Sequence, residues 1–181
     1  MPRLIFLRHA PLPQGIGLAG RRDISAVIPP ETAFLPLREK IASLAPVGCL
    51  TSPARRCVET ARALGVDATS EPALWEQDFG AWEGLQPQDL PDLGPLSMDE
   101  LAKHRAENGE SFSDMSLRVN GFIKSIDADS LIVAHAGTAR AALSLIIGPA
   151  ALSFAIAPLS LTVINGQPGA WAVEMVNWVA P

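Results

Sequence analysis

Four consecutive apolar residues run into a histidine region twice in this chain, at Leu4-Ile5-Phe6-Leu7 before Arg8-His9 and at Leu131-Ile132-Val133-Ala134 before His135. A continuous run of that length, without the alternation of a half-solvated strand, fits a strand buried on both faces of a parallel sheet. Ligands of open α/β sheets bind just beyond the carboxyl ends of such strands. Both runs therefore predict a histidine at the same rim, in a chain with three histidines in all. A single strand-end histidine is ordinarily a hydrogen-bonded structural residue. Two in matching positions, one beside an arginine, point to paired chemistry. A metal site is the rival reading, but the other ligands do not appear at ligand spacing.

Further apolar runs at Gly48 to Thr51, Leu161 to Ile164 and Ala172 to Val176 bring the strand count to four or five. Helical spacing fills the intervals. Leu37, Ile41 and Leu44 recur within Pro36 to Leu44, and Val58, Ala61 and Leu64 within Pro53 to Leu64. The same period marks Ser111 to Ile126 and an apolar helix from Thr138 to Ile147. Strands alternating with helices predict an α/β fold, a three-layer domain whose mostly parallel central sheet is flanked by helices. No internal repeat or low-complexity linker divides residues 1–181, so one domain is expected. Leu74 to Leu96, rich in Pro, Gly, Asp and Trp, is too irregular for a strand or a long helix and reads as a lid near 74–96.

Composition narrows the partners. The formal charge is −5 and the pI near 5.1, which argues against a nucleic-acid surface. Apolar runs are broken before the roughly 18 residues of a membrane span, so no membrane helix is expected. Met1 to His9 reaches charge after four apolar residues, too soon for the apolar region of a signal peptide, and a cytoplasmic location follows as the expectation. Cys49 and Cys57 read as buried free thiols instead of a disulfide, and Cys57 is given no catalytic role. His104, within Lys103-His104-Arg105, reads as a solvated residue without a role. The apolar stretch from Ala150 to Leu161 is open between core and subunit contact, and the oligomeric state is not fixed.

Ser52-Pro53-Ala54-Arg55-Arg56 follows the second strand and looks like a helix start, with Ser52 as N-cap and Pro53 at the first helical position. Free amides at that end suit an anion, and arginine adds a fork of donors matched to phosphate oxygens. An adjacent arginine pair is ordinarily a solvated surface feature. Beside Arg8-His9 and His135, however, these residues can converge on one phosphoryl group. A neutral imidazole is a competent phosphoryl acceptor, and cationic neighbours help keep it neutral. A proton donor for the leaving alcohol is also needed. Glu76 leads, because Trp75, Phe79 and Trp82 around it could desolvate it; Asp78 and Glu83 compete.

These residues resemble the histidine phosphatase superfamily, also called the phosphoglycerate mutase-like superfamily. Phe6-Leu7-Arg8-His9-Ala10 is similar to the family's strand running into Arg-His-Gly, with alanine for glycine. Thr51 to Ala61 resembles the family's Ser-Pro-Leu-x-Arg-Ala-x-x-Thr-Ala block and aligns its phosphate-binding arginine with Arg56 rather than Arg55. Glu76 matches the family's acid, and His135 its second histidine. Gly20-Arg21-Arg22-Asp23 and Gly109-Glu110-Ser111-Phe112 also look like family blocks, and the likeness runs in family order from residue 4 to about 143.

The resemblance implies a phosphoglycerate mutase-like fold, His9 as phosphorylated nucleophile, and His135 and Glu76 as its catalytic companions. It further implies Arg8, Arg56 and His135 as phosphate ligands, with Arg21 a candidate for substrate binding. No cofactor or metal is implied. The expected activity is hydrolysis of a small phosphorylated metabolite through a phosphohistidine. The branch most similar to this chain includes alpha-ribazole phosphatase and broad-specificity phosphatases, which makes alpha-ribazole 5'-phosphate a candidate substrate. The alternatives are phosphoglycerate mutase-type transfer and a catalytically silent phosphate-binding module. The short Pro-rich lid and the brief stretch after Trp178 favour hydrolysis over transfer. A binding module would need the arginines but not the nucleophile and acid.

Overall fold

A computed structural model describes residues 1–181. The first apolar run forms β1 (Arg3–Arg8), fully buried from Leu4 to Leu7. A loop and a 3-10 turn lead to α1 (Leu35–Leu44), β2 (Gly48–Thr51), α2 (Arg55–Leu64) and a two-residue strand β3 (Thr69–Ser70). After the irregular segment come α3 (Met98–Lys103), α4 (Phe112–Ile123), β4 (Ser130–Ala134) and α5 (Ala136–Ile147), then the hairpin β5 (Leu161–Gln167) and β6 (Ala170–Trp178). The six strands form one sheet in the order β3-β2-β4-β1-β5-β6. β3, β2, β4 and β1 run parallel, while β5 pairs antiparallel with both β1 and β6. The mostly parallel sheet predicted from the apolar runs is present, with an antiparallel hairpin added at one edge.

The period of two in β1 splits the core into the expected layers. Leu4 and Phe6 face a cluster built from Met115, Val119 and Ile123 of α4 and Ala139, Ala142 and Leu143 of α5. Ile5 and Leu7 face the opposite cluster, with Leu37 and Ile41 of α1 and Cys57, Ala61 and Leu64 of α2. Small residues on α5 let that helix lie close against the sheet. The 18-residue stretch Ala136–Ser153 has a mean hydropathy of 1.2, the length and composition of a membrane-crossing segment. In the fold it is divided at Gly148 into α5 and a 3-10 turn, and Ala139, Ala141, Ala142, Leu143 and Ala151 are buried against the core.

Several boundaries differ from the sequence reading for identifiable reasons. Ser52 does not cap α2. The helix begins at Arg55 with Ala54 at the cap position, and the Arg55 amide donates to Asp23 Oδ1 at 2.7 Å. A carboxylate 32 residues upstream thus occupies the helix end expected to offer free amides. α3 is an additional helix, started by a reciprocal capping box between Ser97 and Glu100. α4 ends at Ile123 instead of Ile126, while α5 begins two residues earlier than Thr138. Residues 74–96 contain only 3-10 turns, at Gly80–Trp82 and Pro87–Asp89 beyond the turn ending at Leu74. Both cysteines are free, with Cys57 buried.

Candidate active site

Register decides which residues meet. In the parallel pairing of β1 with β4, Arg8 lies opposite Ala134, so His9 and His135 leave adjacent strands side by side. Their rings meet edge to face with centroids 5.4 Å apart. Thr51 of β2 lies opposite Val133 of β4, which delivers Ser52 to the same rim. Both histidines are almost wholly enclosed, at 4% and 1% exposure.

Hydrogen bonds fix the tautomers. His9 Nδ1 stands 2.7 Å from the Ala10 carbonyl oxygen, which can only accept, so Nδ1 carries the proton and Nε2 keeps its lone pair. Burial drives the His9 pKa down to about 3, Arg56 and Arg8 add to the shift, and the Ala10 hydrogen bond opposes it. His135 Nδ1 accepts from Arg56 Nε at 3.3 Å, leaving its Nε2–H to donate to Ser52 Oγ at 2.8 Å. Its pKa is pushed well below the ordinary imidazole range, first by burial and then by Arg56, His9 and Arg8. Cys57 lies under this ring, with Sγ 3.6 Å from Nε2, and burial pushes its thiol pKa up, which keeps it from forming a nucleophilic thiolate.

Alanine at position 10 is accommodated without strain. Its φ is negative, its methyl is buried, and its amide donates to Thr60 Oγ1 at 2.9 Å. The same threonine returns a hydrogen bond to the Arg56 carbonyl, tying the strand end to α2.

The two neighbouring arginines of α2 have opposite fates. Arg55 is exposed and pairs loosely with Asp23, whereas Arg56 is 1% exposed. Arg56 donates to the Gly20 carbonyl at 2.7 Å and the Arg22 carbonyl at 2.8 Å, as well as to His135. Gly20 makes this approach feasible. Its φ is +46°, and a Cβ there would stand 2.2 Å from Glu83 Oε1. Arg8 enters from the β1 end and donates to the Ile156 carbonyl, while its buried Nε has no protein partner. The Ala150 to Leu161 stretch is therefore partly core, through Ala151 and Ile156, and also anchors Arg8. Arg21 lies farther out, its guanidinium 5.4 Å from the Trp75 ring centroid and 3.6 Å from Glu110 Oε1.

The three candidate acids occupy different settings. Glu76 reaches the start of α5, where Oε2 accepts from the Gly137 amide at 3.3 Å and Oε1 from the Gln77 amide at 3.0 Å. Asp78 Oδ1 closes a turn onto the Gly80 amide, and Glu83 accepts from the Arg21 and Arg22 amides. Glu83 is thus occupied in holding the 20–22 loop. The aromatic enclosure expected around Glu76 is incomplete. Phe79 and Trp82 share its cavity, but Trp75 packs toward the opposite core, its side chain pointing to the other side from those of Leu74 and Glu76 on either side of it.

Sequence reading assigned no role to several residues that shape the site. Glu110 Oε1 accepts from Arg118 at 2.6 Å and from the Asp78 amide at 3.1 Å, and Arg118 Nη1 also donates to the Ala73 and Trp75 carbonyls. This network fastens the chain on both sides of Glu76. Arg140, one helical turn past Ala136, lines the cavity beside Glu76 and is fixed by its Nε donating to the Phe154 carbonyl at 2.9 Å. Its place one turn into an otherwise apolar helix was the available signal. His104 is not freely solvated: it stacks on Trp82 with centroids 5.1 Å apart and forms part of the cavity wall. No group of three His, Cys, Asp or Glu side chains gathers at metal-binding range.

Comparison with known proteins gives the same architecture. The solved structure of mycobacterial glucosyl-3-phosphoglycerate phosphatase with VO3 superposes with a TM-score of 0.81 at 23% identity, covering 98% of this chain and 99% of that one. A Thermus thermophilus protein gives a TM-score of 0.78 at 22% identity, covering 96% and 98%. Among curated sequences, human 6-phosphofructo-2-kinase/fructose-2,6-bisphosphatase 4 is 28% identical over 133 residues, which is 69% of this chain and 28% of the relative. The chain thus spans little more than a quarter of the curated relatives it matches. A family model matches residues 31–179, a span that opens after the strand carrying Arg8 and His9. By that match the chain belongs to the histidine phosphatase superfamily, branch 1.

Proposed function

We propose that this protein is a phosphomonoesterase that hydrolyses a small phosphorylated metabolite through a phosphohistidine on His9. The observation that carries the reading is the pairing of two enclosed, neutral histidines with Arg8 and Arg56 at one sheet rim. His9 Nε2 holds the free lone pair, and the Ala10 carbonyl orients the ring by holding its opposite proton. Attack on phosphorus forms the P–N bond as the ester P–O bond breaks. Arg8 and Arg56 stabilise charge on the transferring oxygens. Glu76, as general acid, passes a proton to the departing alkoxide, and its carboxylate then takes a proton from the water that next attacks the phosphohistidine. Phosphate leaves and His9 recovers its lone pair. His135 holds the Arg56 fork and can offer its Nε2–H to a phosphoryl oxygen in exchange for Ser52.

Segment 74–96 acts in this reading as a short lid, bringing Glu76 to the rim beside the enclosed histidines. Alpha-ribazole 5'-phosphate stays a candidate substrate through the sequence resemblance. The test is a pulse of labelled phosphomonoester in the presence of EDTA, followed by phosphate release. Acid-labile label on His9 that turns over to free phosphate is expected. Interconversion of 2- and 3-phosphoglycerate with little phosphate release would replace this reading with a mutase, and tight phosphate binding without labelling or turnover would leave a binding module.

A further inference from the structure

Glu76 forms part of the wall of a cavity of about 390 Å³ that opens beside Gly137 and Arg140. If Glu76 protonates the leaving oxygen, the remainder of the alcohol must enter this space. Its walls are formed chiefly by Leu18, Phe79, Trp82, Leu90, Leu101 and Leu152. They come from the N-terminal loop, the irregular segment, α3 and the turn after α5, so no single motif describes the pocket.

Part of the polar lining is committed, while most of the lining is hydrocarbon. The Gln77 amide nitrogen donates to the Glu110 carbonyl at 2.9 Å, and both Glu76 oxygens accept from backbone amides. Arg140 Nε is held by the Phe154 carbonyl, and His104 lies flat against Trp82. A polyol entering here would still lay much of its hydroxyl-bearing surface against the leucine and aromatic walls, which disfavours it relative to an apolar group. A ring-bearing apolar group would exchange water for the leucines and the aromatic faces. The volume is within the range of small-molecule pockets.

We infer that this cavity receives the leaving group and selects phosphomonoesters of apolar, ring-bearing alcohols over those of polyols. The inference rests on the phosphomonoesterase reading and extends it to substrate class. The Trp82–His104 stack supplies a stiff wall, and Leu101, at the exposed end of α3, supplies the adjustable one.

The experiment compares kcat/KM for 2-phenylethyl phosphate and glycerol 1-phosphate, both alkyl esters, with acetyl phosphate as a substrate whose leaving group is too small to use the cavity. The expected preference for the phenylethyl ester is about tenfold or more, the scale on which apolar pockets discriminate. In Leu101→Asn and Trp82→Ala the phenylethyl-to-glycerol ratio should fall by a similar factor, mainly through KM. Leu101 is 38% exposed, so its variant should fold even if Trp82→Ala proves unstable. Turnover of acetyl phosphate with equal or greater preference for the glycerol ester would overturn the pocket assignment and leave the phosphatase reading standing. An unmoved ratio in folded Leu101→Asn and Trp82→Ala would do the same. Failure to hydrolyse acetyl phosphate or either ester would remove the phosphatase reading, and this inference with it.

Discussion

Gly137 and Glu76 interlock at the start of α5: a Cβ on residue 137 would stand 2.0 Å from Glu76 Oε1. The glycine's amide also donates to the other oxygen of that carboxylate at 3.3 Å. The missing side chain therefore makes room for the carboxylate directly beside the helix end that follows His135. The atom in conflict is the tip of a side chain, so a methyl group would displace Glu76 and leave the helix in place.

Gly137→Ala should therefore lower activity through the displaced carboxylate without lowering Tm. Alanine gains up to about 1 kcal/mol of helix propensity over glycine. The check is kcat/KM for an alkyl phosphate alongside thermal unfolding. A joint loss of activity and stability would show that the methyl damages packing, against Met115 for example, rather than moving the acid.

Glu76→Gln should impair alkyl phosphates by about 10²- to 10⁴-fold, the usual contribution of a positioned acid or base. p-Nitrophenyl phosphate should lose much less in the phosphorylation step, because its leaving group needs little protonation. Phosphoenzyme formation should be timed separately from dephosphorylation, since the same carboxylate is proposed to activate water. Equal losses in phosphorylation of the enzyme by both substrates would assign Glu76 to positioning instead.

Arg56→Ala should cost about 2.7–4 kcal/mol of transition-state stabilisation, as for loss of one oxyanion donor. It should also lower stability by about 1–3 kcal/mol, because the Gly20 and Arg22 carbonyls lose their donor. Arg55→Ala should be mild in both measurements: its side chain is exposed, and the amide that Asp23 caps belongs to the backbone. Reversed effects would contradict the assignment of Arg56 to the phosphoryl group.

The buried neutral histidine gives a signed pH dependence. The folded pKa of His9 is about 3, against an ordinary value of 6.5, so between these values the unfolded chain binds more protons than the folded one. Stability should fall as pH drops below 6.5, and this contribution levels off below about pH 3. His9→Gln should reduce that acid-side loss in chemical denaturation series, the part owed to buried His135 remaining, while abolishing turnover and acid-labile labelling. In the free enzyme no loss of nucleophile is expected near pH 6.5, so kcat/KM, corrected for substrate ionisation, should show no His9 limb there.

The histidine pair was legible in the sequence because strand burial is a local pattern. Two apolar runs imply neighbouring strands in a sheet interior, and a rim location follows from their ends. The split core was equally legible, since the period of two in Leu4 to Leu7 assigns alternate residues to opposite layers. The capping box at Ser97 and Glu100 carried a local signal for α3, but the surrounding irregular composition obscured it. Two-residue β3 is too short to carry any period.

Tertiary structure alone decided the contacts made across the rim. Ser52 had the sequence of a helix cap, yet register brought it to His135, and Asp23 took the amide at the helix start. Trp75 and Trp82 looked equivalent around Glu76, yet Trp75 packs on a core cluster while Trp82 lines the cavity beside the acid. Arg140 and His104 gained their positions from segments distant in sequence, Phe154 aside, through packing that no local period encodes. Periodicity specifies which face of a strand or helix is buried. Which loop then meets which strand end depends on the closure of the whole chain, and that closure sets the acid, the arginine fork and the pocket around the histidines.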